Sequence, residues 1–191
     1  MSDAPPKQSR TVLWIMLALT ITPVAASYLI YYFWPPSRTV NYGELIEPRR
    51  LPDARLALAD GTPFQLSSLR GRWVLVMVDS AACDAYCEKK LYYMRQVRLA
   101  QGKEMERVGR AFLINDSATT VPGKLAPYTG TWLIRAAGNE VLGLFPAPRA
   151  HSAHIYLIDP LGNLMIRYPR EPDPRRMIED LKRLLKASRI G

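Results

Sequence analysis

The sequence predicts an α/β domain behind a single membrane-spanning helix, and three stretches carry that prediction. Residues 73–78 are six consecutive apolar residues, short enough for a buried strand. They are followed by a helical period through Leu91, Met94 and Val97 and by a second apolar run at 108–114. Strand, helix, strand in that order implies a parallel pair joined by a right-handed crossover. Residues 154–159, a Pro160-Leu161-Gly162-Asn163 turn and residues 164–168 then read as an antiparallel hairpin. Ahead of all this, residues 12–34 form an apolar run long enough to cross a hydrocarbon core of about 30 Å.

Taken in chain order, residues 1–10 read as a short cytoplasmic tail, because Lys7 and Arg10 flank the apolar run on its short side. Residues 11–34 are the anchor, with Pro23 tolerated inside it and Trp14, Tyr31, Tyr32 and Trp34 placed as interfacial aromatics. The small residues Val24, Ala25 and Ala26 offer a signal-cleavage alternative. The apolar run continues past them to Trp34, which favours an uncleaved single-pass anchor in the inner (cytoplasmic) membrane with the remaining chain facing the periplasm. Pro48 and Pro52 make 35–53 an extended linker, and 54–191 is the folded domain.

Within that domain, Leu56 and Leu58 alternate as in a strand, Asp60-Gly61 makes a tight turn and 62–66 continues extended, which is a hairpin. Residues 118–148 are rich in proline and turn residues and offer only Trp132-Leu133-Ile134 as a firm apolar run, so no element is assigned across the remainder. Asp173 as N-cap and Pro174 at the first helical position open a last helix. Met177, Ile178, Leu181, Leu184 and Leu185 share one face of it, and Arg175, Arg176, Lys182, Arg183, Lys186 and Arg189 fill the other.

The formal net charge of +9, from 26 basic and 17 acidic residues, raises nucleic acid as a partner. The excess is spread, with its clearest concentration in the last twenty residues, and no aromatic platform or binding motif accompanies it, so nucleic acid is set aside. A solvated basic face that meets anionic headgroups or an acidic partner fits better.

Chemistry concentrates on the only two cysteines, Cys83 and Cys87, delivered by the turn after the first central strand. Four residues apart, they lie on one face of a helix. With Cys83 at its start, unpaired backbone N–H groups would stabilise a thiolate, and Asp84 would oppose that effect. The pair can close a disulfide if Cys83 stays off the helix, clamp a soft metal ion if reduced, or simply be two buried apolar side chains. Of the two histidines, His154 is in step with Tyr156 and reads as structural, while His151 lies in the irregular segment before the strand. A four-ligand zinc site would use every Cys and His in the chain at awkward spacing. Met77, Met94, Met105 and Met165 form no Met-x-Met cluster and read as fillers.

The order β-α-β, hairpin, helix with a two-cysteine motif after the first central strand resembles the thioredoxin-like fold, a central mixed sheet flanked by helices. The stretch from Asp60-Gly-Thr-Pro-Phe through Gly71-Arg-Trp-Val, the Cys83-x-x-x-Cys87 motif, and His151-Ser152 before Ile155-Tyr-Leu-Ile-Asp-Pro160 resemble the Sco/SenC family. That resemblance implies a membrane-anchored copper chaperone that assists a cytochrome c oxidase subunit bearing a copper site. It implies Cys83, Cys87 and His151 as ligands to Cu(I) or Cu(II). Two alternatives use the same fold: a thiol-disulfide oxidoreductase in which Cys83 attacks and Cys87 resolves, and an assembly partner without chemistry. A peroxidase is disfavoured, because no Arg or Thr flanks Cys83 to activate it.

Overall fold

The structure is a computed structural model describing residues 10–33, 41–118 and 123–188. The chain divides into two units, Met1–Val40 and Asn41–Gly191. In the first, helix α1 (Arg10–Phe33) carries Pro23, and Thr20 and Thr22 turn their hydroxyls onto backbone carbonyls one turn back. Among the described residues it is the one helix long and apolar enough to cross a membrane. Lys7 and the rest of the expected tail up to residue 9, and Trp34 at the other end, lie outside the described residues.

The second unit is built on an eight-stranded mixed sheet. Its strands are β1 (Glu44–Arg50), β2 (Arg55–Leu58), β3 (Pro63–Gln65), β4 (Trp73–Asp79), β5 (Val108–Ile114), β6 (Trp132–Arg135), β7 (Ile155–Ile158) and β8 (Asn163–Arg167), in the order β1-β8-β7-β4-β5-β6-β2-β3. The expected parallel pair is β4 with β5, running from Trp73 opposite Val108 to Asp79 opposite Ile114. Both strands are apolar along nearly their whole length because both faces are covered. On one face, Leu75, Met77, Phe112, Ile114 and Leu157 pack against helices α2 (Ala85–Leu99) and α3 (Pro174–Ala187). On the other, Val74, Val76, Val78, Leu113 and Tyr156 pack under Leu66, Leu69, Val141 and Phe145. The hairpin β7–β8 and the hairpin β2–β3 form where the turn residues place them. Asp173 caps α3 by accepting from Arg175 N, with Pro174 following it.

Two parts of the sequence reading are corrected. The stretch read as linker contains β1, antiparallel to β8 at the sheet edge, with an irregular register between Leu45 and Arg49 that accommodates Pro48. Its entry is tied down by Asp180, a buried carboxylate on α3 that accepts both Tyr42 N and Gly43 N at 2.9 Å. Gly43 is required there, since a Cβ would stand 2.2 Å from the Ile166 side chain. Second, among its described residues the unassigned 118–148 region supplies β6, parallel to β5 with Ala111 opposite Trp132, and short 3-10 turns at Ala126–Tyr128 and Glu140–Leu144.

Candidate disulfide and metal site

The central strand β4 ends at Asp79, and the chain turns through residues 80–84 before α2 begins at Ala85. Local hydrogen bonds shape this turn: Cys83 N donates to Ser80 O at 3.1 Å, Ala82 N to Ser80 Oγ at 3.1 Å, and Ala81 N to Asp116 Oδ1 at 3.1 Å. Cys83 is the only non-glycine residue with positive φ among the described residues, at 42°. A left-handed residue costs roughly 1–2 kcal/mol, so this conformation is held by the turn around it. Asp84, rather than Cys83, starts the helix: its carboxylate caps α2 by accepting Cys87 N at 2.8 Å.

Cys83 therefore stays off the helix, which corrects its expected place at the helix start. It is the arrangement in which the spacing allows a disulfide, and Cys83 and Cys87 are disulfide-bonded with their Cα atoms 5.1 Å apart. Both residues are buried, at 1% and 0% exposure, so a thiol from outside reaches neither sulfur without local opening. Lys124 is tied to this turn and to α2: its Nζ donates to Cys83 O at 2.9 Å and pairs with Glu88 at 3.2 Å.

Beside this turn lies the second sequence candidate. His151 begins a short 3-10 turn, His151–Ala153, and its Nδ1 is buried with no hydrogen-bond partner. The same turn is fastened to α2 at two points: Lys90 Nζ donates to Ser152 O, and Tyr86 Oη to Ala153 O at 3.1 Å. Among the described residues no three His, Cys, Asp or Glu side chains gather into a metal-holding group, so the structure joins Cys83 to Cys87 and leaves His151 outside that pair. An open groove of about 480 Å³ lies alongside, with Asp84, Tyr86, Arg149, Ser152, His154 and Arg170 among its walls; Cys83, Cys87 and His151 themselves do not line it.

His154 takes the structural role expected of it. Its Nδ1 lies 2.8 Å from Tyr168 O, and since a carbonyl only accepts, that nitrogen carries the proton. The ring stands edge-on to Tyr156 at 6.1 Å. Burial pushes the His154 imidazole below its ordinary 6.5, against the upward pull of the Tyr168 hydrogen bond. The unfolded chain therefore takes up this proton first as pH falls, and the folded state loses stability below about pH 6.5. We expect the drop in urea midpoint between pH 7.5 and pH 5 to shrink in His154→Gln; an unchanged drop would remove His154 as a source of acid sensitivity.

Sequence reasoning missed a buried ion pair under the site. Lys90 Nζ, on a side chain 1% exposed, meets Asp79 Oδ2 at 2.6 Å and lies 5.2 Å from the Tyr86 ring centroid. Desolvation lowers the Lys90 ammonium pKa, and Asp79 partly restores it. The signal was present: Lys90 falls in phase with Cys87, Met94 and Val97 on the buried stripe of α2, where a lysine needs a partner.

No curated protein matches the sequence. Among solved structures, the copper-bound ScoI of Bradyrhizobium japonicum superimposes with a TM-score of 0.53 at 20% identity, covering 74% of this chain and 98% of that one. Yeast Sco1 gives 0.58 at 19% identity, covering 75% and 96%. The thioredoxin domain of a thiol-disulfide oxidoreductase from Bacteroides vulgatus gives 0.55 at 16% identity, covering 74% and 99%. At such identities the likeness establishes the thioredoxin-like fold, and Sco proteins stand among its structural neighbours as the sequence resemblance implied. Residues 73–188, from the first central strand through the last helix, match the model of a transmembrane-like, thioredoxin-like C-terminal domain, and the chain belongs to that family.

Proposed function

We propose that the chain is a membrane-anchored copper-binding protein that assists assembly of the copper centre of cytochrome c oxidase, with copper as its cargo. The observation that carries the reading is the unpartnered, buried Nδ1 of His151 on a turn fastened to the cysteine-bearing helix. A buried imidazole nitrogen without a partner is costly, and a metal ion is a partner that would arrive only when the sulfurs are free. In the disulfide state the sulfurs offer copper nothing. Two electrons and two protons convert the disulfide to two thiols, and metal binding then releases the thiol protons. Two thiolates and an imidazole form a donor set suited to Cu(I) and tolerant of Cu(II). Likeness to copper-bound Sco structures supports this reading, and so does the groove, whose walls include neighbours of both Cys83 and His151. A closed disulfide fits an oxidising compartment, which agrees with a domain on the periplasmic side of the inner membrane.

A second reading, thiol-disulfide oxidoreductase, is favoured by the closed disulfide itself and by the oxidoreductase neighbour. Titration of the full chain in detergent separates them. After reduction it should take up a single Cu(I) per chain, and the oxidised chain none; Cys83→Ser and Cys87→Ser should each abolish tight uptake. Copper-independent exchange with a model disulfide, and no copper uptake, would instead assign the oxidoreductase role. Absence of both activities would leave an assembly partner that keeps only the fold.

A further inference from the structure

Strand β5 carries one charged side chain in an otherwise apolar run. Arg110 is 4% exposed, yet only its Nη2 has a partner, donating to Thr129 O at 2.7 Å. Its Nε and Nη1 are buried without one, and so is the Thr131 hydroxyl. Pairing of Ala111 with Trp132 brings Thr131 alongside Arg110 at the start of the parallel β5–β6 ladder. Here the charge is uncompensated as well as the hydrogen bonds. Burial lowers the Arg110 pKa, and Arg98 and Arg95 on α2 lower it further. Among the described residues no carboxylate pairs with Arg110, whose charged neighbours are Arg98 and Arg95. Water could satisfy the idle N–H groups but not the charge, and buried guanidinium groups are ordinarily paired.

The turn Thr129–Gly130 covers Arg110 at the surface. Thr129 and Gly130 are exposed, and Gly130, at φ 79°, passes so closely that a Cβ there would stand 3.4 Å from Arg110 Nη2. We propose that Arg110 and Thr131, with Arg95 at the rim, form a binding site for a compact phosphoryl oxyanion that enters beneath the Thr129–Gly130 turn. Several N–H donors, a hydroxyl and an excess of guanidinium charge suit a multiply charged oxyanion better than a single carboxylate. Inorganic phosphate and a phospholipid headgroup both present that chemistry. The site is built from β5, the residue just ahead of β6 and the exposed face of α2, and does not depend on the cysteine chemistry.

The test is thermal unfolding of the full oxidised chain, in non-ionic detergent, with inorganic phosphate titrated against chloride at matched ionic strength. The expected result is a saturable, phosphate-specific rise in melting temperature. Arg110→Gln should abolish it, and Thr131→Val should weaken phosphate affinity by roughly tenfold. Should Arg110→Gln fail to fold, Thr131→Val and Arg95→Gln carry the test, each expected to weaken the response. Repeating the titration in lipid nanodiscs identifies the source. If anionic phospholipid raises the melting temperature and suppresses the phosphate response, the ligand is a headgroup; if the response persists, it is the free anion. No phosphate-specific rise in the wild type in detergent, or an equal rise in a folded Arg110→Gln or Thr131→Val, overturns the proposal.

Discussion

Replacing Asp79 with alanine is expected to destabilise the domain by about 3–5 kcal/mol, because it strands a buried ammonium rather than merely deleting a contact. In the native protein Lys90 has two oxygen partners, Asp79 Oδ2 and Ser152 O, with the Tyr86 ring beside it. Without Asp79 the direct partners that remain are the neutral carbonyl and the ring, with only the more distant Asp84 charge to help. Lys90→Met should cost less, since Asp79 is 15% exposed and keeps its hydrogen bond from Ser80 N. The double substitution Asp79→Ala/Lys90→Met should recover much of the loss of Asp79→Ala, giving a coupling energy readable from urea midpoints. The pH dependence has a definite sign. Burial already holds the Lys90 pKa below its ordinary 10.5, and losing Asp79 lowers it further. Between the folded and unfolded values the unfolded chain binds more protons, so Asp79→Ala should regain stability as pH rises toward 10.5. A variant whose stability matches the wild type, or falls along that rise, would show that the pair does not hold this corner of the fold. The consequence reaches the site, because Lys90 is one of the two side chains that fasten the His151 turn to α2.

Most of the fold was legible because its main elements carry a period. β4, β5, α2, the β7–β8 hairpin and α3 each repeat apolar residues at the spacing of strand or helix, and α3 also shows its cap. β1 was not legible, because Leu45 and Ile46 are its only apolar residues and Pro48 argues against a strand. What makes it one is pairing with β8 and the Asp180 carboxylate, 138 residues away from Tyr42 in sequence. β6 was half visible, as an apolar run too short to assign. At the site, scarcity made the cysteines and histidines easy to find, but position along the helix was harder. Asp84 competes with Cys83 for the cap, and a carboxylate wins that role, which is why the first sulfur is left free to close the disulfide. Lys90 and Arg110 were hidden in plain sight: each interrupts an apolar pattern, and such an interruption marks a charge that must find a partner.

The two histidines give the sharpest separation of roles. His154 is committed to Tyr168 O, whereas the Nδ1 of His151 has no partner. In the reduced full chain loaded with Cu(II), His151→Ala is expected to lose the copper–thiolate absorption band. Its Cu(I) affinity should fall far less, because two thiolates still hold the softer ion. His154→Ala should keep the band and lower the melting temperature. The most direct test is therefore the Cu(II)–thiolate absorption spectrum of the two variants, each shown by circular dichroism to be folded. The proposed copper site predicts a band absent in His151→Ala and present in His154→Ala; a band intact in His151→Ala and lost in His154→Ala would contradict it.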